Sequence, residues 1–395
     1  MNSTVVDAVT LASSASWNTV FGGAFVVLLV GVALYAVAIP QGGRRWWGLA
    51  ALVAVLVFAS LAVGSEVARP LLLDAAALAA VALVWIQDAP QAKAAARTYL
   101  VMLVLAVIFM EAGFSLAGEG SLPPAAPLDK LAVGLVIVGF GLKLALVPFY
   151  FWLPGLAEHA KPMTTALIVS VVDIAAFGEL AHLRLTAPWV FTAHTGLWLA
   201  LALLSMFGGA LLALAQRNLK RMLAFSTIDD MGYLLLGVTV GSQAGMSGAI
   251  LAAISHAFFK VLLFGSVGLA ESQSGSDLTL DSRGMAARYP VSAAVFIVSA
   301  LGMIGVPPLF GFIGRWRLYL AGVELGGVWL ALAMAVATGL ALLYYVRAFH
   351  RVWMGQPEEN VTSGEPRMAV VVMIVLVLIM LAAGLFPGWL TGLIG

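Results

Sequence analysis

The chain has 395 residues, of which 62% are hydrophobic and only 10% are charged, and its mean hydropathy is +1.05. Since a soluble domain carries about 25% charged residues, this composition predicts a polytopic membrane protein. The lack of cysteine excludes disulfides, thiolate metal sites and cysteine nucleophiles, and the net charge of +1 gives no indication of nucleic-acid binding.

Apolar runs bounded by proline, glycine or charged residues predict an all-α fold with about twelve transmembrane helices of ~20 residues each. The predicted spans are 19–39, 47–64, 70–87, 98–117, 131–153, 163–183, 188–214, 222–241, 245–270, 290–313, 325–349 and 368–394.

The lysines and arginines between these spans are distributed unevenly. The odd-numbered loops hold 13 of them and the even-numbered loops hold 4. The positive-inside rule therefore places the odd loops in the cytoplasm and both termini on the outer, periplasmic side of a bacterial-type cytoplasmic (inner) membrane.

In chain order, the first basic residue inside a predicted span is Lys143, in LAVGLVIVGFGLKLALVPFYFWL. A charge near the bilayer centre costs about 2.5–3.5 kcal/mol on insertion scales and by default marks an ion or proton path. Pro148 follows five residues later and breaks the helix, and broken helices in membranes line cavities. The alternative is a lysine that pairs with an acid only to stabilise packing.

Acidic residues follow in the next spans. Asp173 and Glu179 lie in ALIVSVVDIAAFGEL, and Asp229 and Asp230 lie together in LAFSTIDDMGYLL. The adjacent pair could anchor a polar axis through the membrane, or it could cap or kink its helix.

His256 and Lys260 lie in ISHAFFKVLLFGS at positions i and i+4, and so share one helix face. This pair is typical of a proton-relay step. A hydrogen-bonded histidine packed between helices is an equally weighted alternative.

A second break lies in IVSALGMIGVPPLFGFIGRW, where Pro307 and Pro308 interrupt the apolar run and Arg315 follows. Two proline-interrupted apolar segments in comparable positions of two halves indicate an inverted-repeat transporter.

Five segments follow, in the same order along the chain, the sequence pattern of a known family: GLKLALVPFYFWLP, LAQRNLKRMLAFSTIDDMGYLL, ISHAFFKVLLFGSVG, SRGMAARYP and GMIGVPPLFGFIGRW. Over roughly residues 70–350 the chain resembles the antiporter-like proton-translocating membrane subunits of respiratory complex I, Mrp antiporters and energy-converting hydrogenases. The resemblance implies two inverted five-helix repeats, each with a broken helix. It places N-terminal helices at 1–69, the repeats at 70–214 and 215–350, and a C-terminal helix at 351–395.

The resemblance also implies roles for single residues. Lys143 matches the buried lysine beside the first break, Lys260 and His256 match the central lysine and its preceding histidine, and Arg315 matches the terminal lysine or glutamate.

The departures from the family pattern lie in the first half and at Asp230, where the family often has a histidine. The glutamate that pairs with the buried lysine is missing, and the third span has only Asp74 as an acid. Asp173 stands in place of a second lysine. One interpretation is that Asp173 has become the counter-ion of Lys143. The other is that the two lock together as structural scaffold.

These features predict a non-catalytic, ion-translocating subunit of a redox-driven complex of the quinone oxidoreductase or hydrogenase type, with the proton as the first candidate ion. Other membrane subunits, a peripheral cytoplasmic module and the lipid bilayer are the expected partners, and no nucleic acid, cofactor or metal is expected. One alternative is a coupling subunit that lets protons or sodium flow inward to drive a peripheral protein, such as an inorganic-carbon uptake subunit. A second alternative is a non-conducting structural subunit.

Overall fold

The computed structural model describes residues 3–117, 128–356 and 364–394, and over these ranges it is all-α. Within them, the β-type pairing is confined to an isolated bridge between Asn218 and Thr279. The helices of seven or more residues are α1 Ser3–Ala38, α2 Arg44–Ala62, α3 Ala68–Trp85, α4 Pro90–Ala117, α5 Leu128–Lys143, α6 Trp152–His159, α7 Pro162–Thr186, α8 Thr195–Ala215, α9 Leu219–Val240, α10 Gln243–Ser274, α11 Pro290–Ile304, α12 Gly311–Ala348, α13 Arg367–Leu385 and α14 Gly388–Ile394.

Ten helices of the described ranges are long and apolar enough to cross a membrane: α1–α4, α7–α10, α12 and α13. The predicted class of polytopic, all-α membrane protein is thereby confirmed. The total of twelve spans and the repeat boundaries stay predictions.

The predicted spans at 290–313 and 325–349 divide differently in the structure. The first ends at Ile304, and α12 begins at Gly311 and continues to Ala348. The expected loop at 314–324 is helical, and a kink at Gly326–Gly327 divides α12 into two helical segments. Gly327 has a positive φ of 64°, which glycine tolerates without steric cost.

The centre of the molecule is formed by α9 and α10. In the most apolar stretch of each of these helices, 94% and 100% of the residues are buried. In α2 and α12 the corresponding share is 22%, so most of their side chains lie on the outside of the molecule. The two central helices carry four of the predicted path residues: Asp229, Asp230, His256 and Lys260.

The first predicted break is present. Helix α5 ends at Lys143, and the chain is non-helical until α6 begins at Trp152. The freed backbone groups find side-chain partners, since Trp152 Nε1 donates to the Leu142 carbonyl at 2.9 Å and the Val147 amide donates to Ser205 Oγ at 3.0 Å. Pro148 lies within this segment, as predicted.

The second break separates α11 from α12 and contains Pro307 and Pro308. Gly305 ends α11 in the left-handed region, with φ 87°. The Phe310 amide, at the end of the break, donates to the Met380 carbonyl of α13 at 3.2 Å.

Helices α8 and α9 approach closely because each presents a glycine to the other. A Cβ on Gly232 of α9 would lie 2.6 Å from the Ala202 carbonyl oxygen of α8, and a Cβ on Gly209 of α8 would overlap the backbone of Asp229. This crossing fixes the position of the Asp229–Asp230 pair.

Replacing Gly232 with alanine is therefore expected to lower the free energy of unfolding by about 1–3 kcal/mol, since the new methyl group must push the helices apart. The measurement is the thermal unfolding midpoint in detergent. Gly339→Ala on α12 is the matched control, because a Cβ there meets open space. Equal midpoints for the two variants would contradict the close crossing.

Candidate functional site

The first-half cluster consists of Lys143, Asp74 and Glu179. Lys143 Nζ lies 2.7 Å from Asp74 Oδ1 on α3 and 2.9 Å from Glu179 Oε2 on α7. The lysine side chain is 5% exposed, and the two acids are 17% and 10% exposed. A lysine at the end of a broken helix is thus held between two carboxylates in the interior.

The structure contradicts both interpretations of Asp173. Among the described residues, the acids within ion-pair distance of Lys143 are Asp74 and Glu179, so Asp173 is neither a relocated counter-ion nor locked to the lysine. Asp74 is instead a carboxylate partner of Lys143, contributed by α3. Its signal in the sequence was its position as the only acid in the third predicted span.

Asp173 lies beside this cluster without joining it. It is buried and lines a small internal cavity with Lys143 and Tyr99. It directly follows a π-helical turn at Ile168–Val172, a distortion that is frequent at functional sites. Helix α10 packs against this part of α7, so helices from the two predicted repeats meet here.

Lys260 lies on α10 at the centre of the fold and is fully buried. Its Nζ donates to the Leu223 carbonyl at 2.9 Å and to Ser226 Oγ at 2.5 Å. Tyr345 also donates to Ser226 Oγ, at 3.2 Å. Within the described ranges no acid lies within ion-pair distance of Lys260, so its ammonium group depends on neutral partners.

The second-half cluster consists of Asp230, His256 and Arg315. Asp230 Oδ1 lies 2.6 Å from Arg315 Nη2, and its Oδ2 lies 2.7 Å from His256 Nδ1. Arg315 also donates to the Met303 carbonyl at 2.8 Å, and its guanidinium lies 3.7 Å from the centre of the Tyr233 ring. One buried carboxylate therefore joins α9, α10 and the helix after the second break.

Asp229 has a separate environment. Its Oδ2 accepts a hydrogen bond from the Tyr344 hydroxyl at 3.0 Å. The sequence placed the adjacent acids together, but on the helix they face different neighbours. The roles of Tyr344 and Tyr345 carried no signal in the sequence, because tyrosines are common in apolar helices.

Several buried polar atoms on α7 and on α9–α12 have no protein hydrogen-bond partner among the described residues. They are Ser170 Oγ, Asp229 Oδ1, His256 Nε2, Ser299 Oγ and Arg315 Nη1. Buried groups of this kind are as a rule satisfied by ordered water or an ion. The atoms of His256 and Arg315 belong to the second-half cluster and that of Asp229 adjoins it, which suits a hydrated path there.

The described ranges contain no group of three or more histidine, aspartate or glutamate side chains that could hold a metal ion. The expectation that the chain carries no cofactor stays an expectation.

Most of the chain matches the sequence model of a known protein family. Residues 71–341 match the family described as NADH:quinone oxidoreductase/Mrp antiporter, TM. NADH-quinone oxidoreductase subunit N of Desulforamulus reducens is 30% identical over 285 residues, covering 71% of this chain and 58% of the relative. The subunit N of Moorella thermoacetica is 31% identical over 288 residues, covering 72% and 59%. The chain thus spans less than two thirds of the length of these curated relatives.

Solved structures give the same fold. A chain of respiratory complex I from Thermus thermophilus superposes with a TM-score of 0.81 at 25% identity, covering 95% of this chain and 86% of that one. A chain of the Mrp complex from Dietzia sp. superposes with a TM-score of 0.84 at 20% identity, covering 96% and 82%.

Proposed function

The chain belongs to the NADH:quinone oxidoreductase/Mrp antiporter transmembrane family, and from this premise we propose that it is a proton-translocating subunit of a larger membrane assembly. The observation that carries the proposal is the recurrence of one arrangement at both helix breaks. In each half, a basic side chain beside the break binds an acid from an earlier helix, although Lys143 ends the helix before the first break and Arg315 lies on the helix after the second. Lys143 binds Asp74 on α3, and Arg315 binds Asp230 on α9.

This recurrence also supports the predicted repeats at 70–214 and 215–350. Helices α3 and α9 open the two segments, and the break falls on the third helix of each. We propose these boundaries for the two repeats.

The proposed path joins the two clusters through the centre of the molecule. Taken from the first half to the second, it consists of Asp74, Lys143, Glu179, Asp173, Lys260, His256, Asp230, Arg315 and Asp229. A buried ion pair costs desolvation energy and is weak support for stability. Two such clusters, and a central lysine that has no acid partner among the described residues, therefore favour transport over scaffolding.

A proton would move along this path as the pairs exchange partners. A base holds its proton while its carboxylate is ionised nearby, and a change in that carboxylate's charge or distance releases the proton. Lys260 lies between the clusters and can receive or release a proton without breaking an ion pair.

The assembly that surrounds the chain is part of the proposal. The relatives are named as subunits of NADH-quinone oxidoreductase, which supports other membrane subunits and a peripheral module as partners. We propose insertion in a bacterial inner membrane with both termini outside, as the loop charges indicate.

Lys260→Met tests the proposal in the reconstituted complex, with proton and sodium fluxes measured separately. The variant removes the central ammonium group and is expected to reduce the proton flux about tenfold or more, equivalent to a barrier raised by at least ~1.4 kcal/mol. Lys130→Met, at an exposed lysine, is the matched control and should keep the flux. An unchanged proton flux in Lys260→Met would contradict the proposed function.

A further inference from the structure

A cavity of about 790 Å³ lies at the end of the molecule where α2 begins and α3 ends. Its volume falls within the range of about 300–1,000 Å³ that is typical of small-ligand sites. This is the face that the loop charges predict to be cytoplasmic. The titratable side chains that line the cavity are Arg44, Arg45, Asp88, His159 and Lys161.

The basic side chains of this cavity keep their charge without an acid partner. In the described part of the chain, no carboxylate lies within ion-pair distance of Arg44, Arg45 or Lys161. Three cationic side chains against the single carboxylate of Asp88 give a cavity that attracts an anion. Basic residues of another loop on the same predicted face are paired instead, in the contacts Arg217–Asp281, Lys220–Glu271 and Arg221–Glu158.

The lining also holds polar groups that the protein leaves unsatisfied. Gln41 lines the cavity and is 4% exposed, and its Oε1 has no hydrogen-bond partner among the described residues. Its Nε2 donates to the Ile39 carbonyl at 2.9 Å. Helix α2 begins at Arg44 without a side-chain cap, which leaves its first backbone amides available to an anion. A ligand that carries a phosphate and a hydroxyl group matches both features.

The cavity lies at the level expected for lipid headgroups. Trp47, near the start of α2, and Trp85, at the end of α3, are 38% and 42% exposed. Exposed tryptophans mark the membrane–water interface. Further along α2, Leu52 and Val55 are 44% and 64% exposed. A basic cavity therefore adjoins an apolar helix surface, and this arrangement fits a phospholipid with an anionic head.

We propose that this cavity binds the headgroup of an anionic phospholipid of the phosphatidylglycerol class, whose acyl chains lie along the exposed side of α2. Arg44, Arg45 and Lys161 hold the phosphate, and Gln41 and Asp88 accept hydrogen bonds from the glycerol hydroxyls. Basic cavities between transmembrane helices on the cytoplasmic side are sites of this kind. The inference is independent of the proposed function, because neither the helix breaks nor the buried charged clusters contribute to it.

The test uses the full chain purified in a neutral detergent. The thermal unfolding midpoint is followed as phosphatidylglycerol, phosphatidylcholine with the same acyl chains, or inorganic phosphate is added. A ligand that binds the folded state raises the midpoint in proportion to its affinity and concentration, so the titration gives an apparent dissociation constant. Phosphatidylcholine controls for the acyl chains, and inorganic phosphate controls for the anion alone.

The triple variant Arg44→Gln, Arg45→Gln, Lys161→Gln removes the basic charges of the cavity while keeping polar side chains at exposed positions. The matched control removes the same number of charges from the same predicted face at exposed arginines that do not line the cavity, and it consists of Arg283→Gln, Arg351→Gln and Arg367→Gln.

The wild type and the control should bind phosphatidylglycerol at least about tenfold more tightly than phosphatidylcholine, and the cavity variant should lose at least about tenfold of its affinity for phosphatidylglycerol. Inorganic phosphate at the same concentrations should leave the midpoints unchanged. Equal affinity of the wild type for the two lipids, or equal affinity of the two triple variants for phosphatidylglycerol, would overturn the proposed lipid site. A midpoint raised as much by inorganic phosphate as by phosphatidylglycerol would overturn it in favour of a free anion.

Discussion

Asp230→Asn is expected to destabilise the assembled protein by about 3–5 kcal/mol, because it removes one partner of a buried ion pair. Arg315 would keep its charge in the interior, where its other contacts are the Met303 carbonyl and the Tyr233 ring. His256 would lose the carboxylate that lies 2.7 Å from its Nδ1. The measurement is the thermal unfolding midpoint of the complex in detergent, followed by the proton flux of the fraction that folds.

The neighbouring variant Asp229→Asn is the control for this prediction. An asparagine oxygen can still accept the hydrogen bond from Tyr344, and the described residues place no ion pair on Asp229. Its midpoint should therefore fall much less. Similar midpoints for the two variants would show that the Asp230–Arg315 pair contributes no more than a neutral hydrogen bond.

Lys143→Met is expected to have the second largest effect. It leaves Asp74 and Glu179 close together without the ammonium group between them, and two carboxylates in this position disfavour each other's ionisation. Since both acids keep some exposure, at 17% and 10%, the loss of stability should be smaller than for Asp230→Asn. The proton flux of the complex should fall about tenfold or more, as for other residues on the path.

The single variants Asp74→Asn and Glu179→Gln are the controls for Lys143→Met. Each leaves the lysine with one carboxylate, so each should retain more stability than the lysine variant. Wild-type stability and wild-type proton flux in Lys143→Met would contradict this prediction. They would show that the first-half cluster neither stabilises the protein nor belongs to the proton path.

The helix breaks could be predicted from the sequence because their cause is local. Proline lacks an amide donor and cannot continue a helix, so Pro148 and Pro307 mark the breaks wherever the helices pack. The predicted loop at 314–324 was wrong, since the chain is helical there and kinks at Gly326–Gly327 instead. Two glycines permit either a loop or a bend, and the choice depends on how α12 packs against its neighbours.

The buried charges could also be predicted, since a charge in an apolar run is visible in the sequence. Their pairing could not, because it depends on which helices meet. Lys143 and Asp74 are 69 residues apart, and the contact forms only when α3 packs beside the end of α5. Asp173 stands in place of a family lysine and was for that reason interpreted as a partner of Lys143, which the structure contradicts.

The residues of the second-half cluster could be predicted from the sequence, but the contacts between them could not. Asp230, His256 and Arg315 were each singled out, but the sharing of one carboxylate by a histidine and an arginine follows from the crossing of α9, α10 and α12. The glycine contact of α8 with α9 contributes to that crossing.

The most direct test of the account is the proton flux of a complex that carries Lys143→Met, Asp74→Asn and Glu179→Gln together. The triple variant removes every charge of the first-half cluster and leaves none unpaired, and replacing a buried ion pair by neutral groups of similar size is often harmless to stability. We expect a complex that assembles and unfolds like the wild type but translocates protons at least about tenfold more slowly. Wild-type flux from this complex would show that the buried charges of the first half serve packing, and would contradict the proposed path.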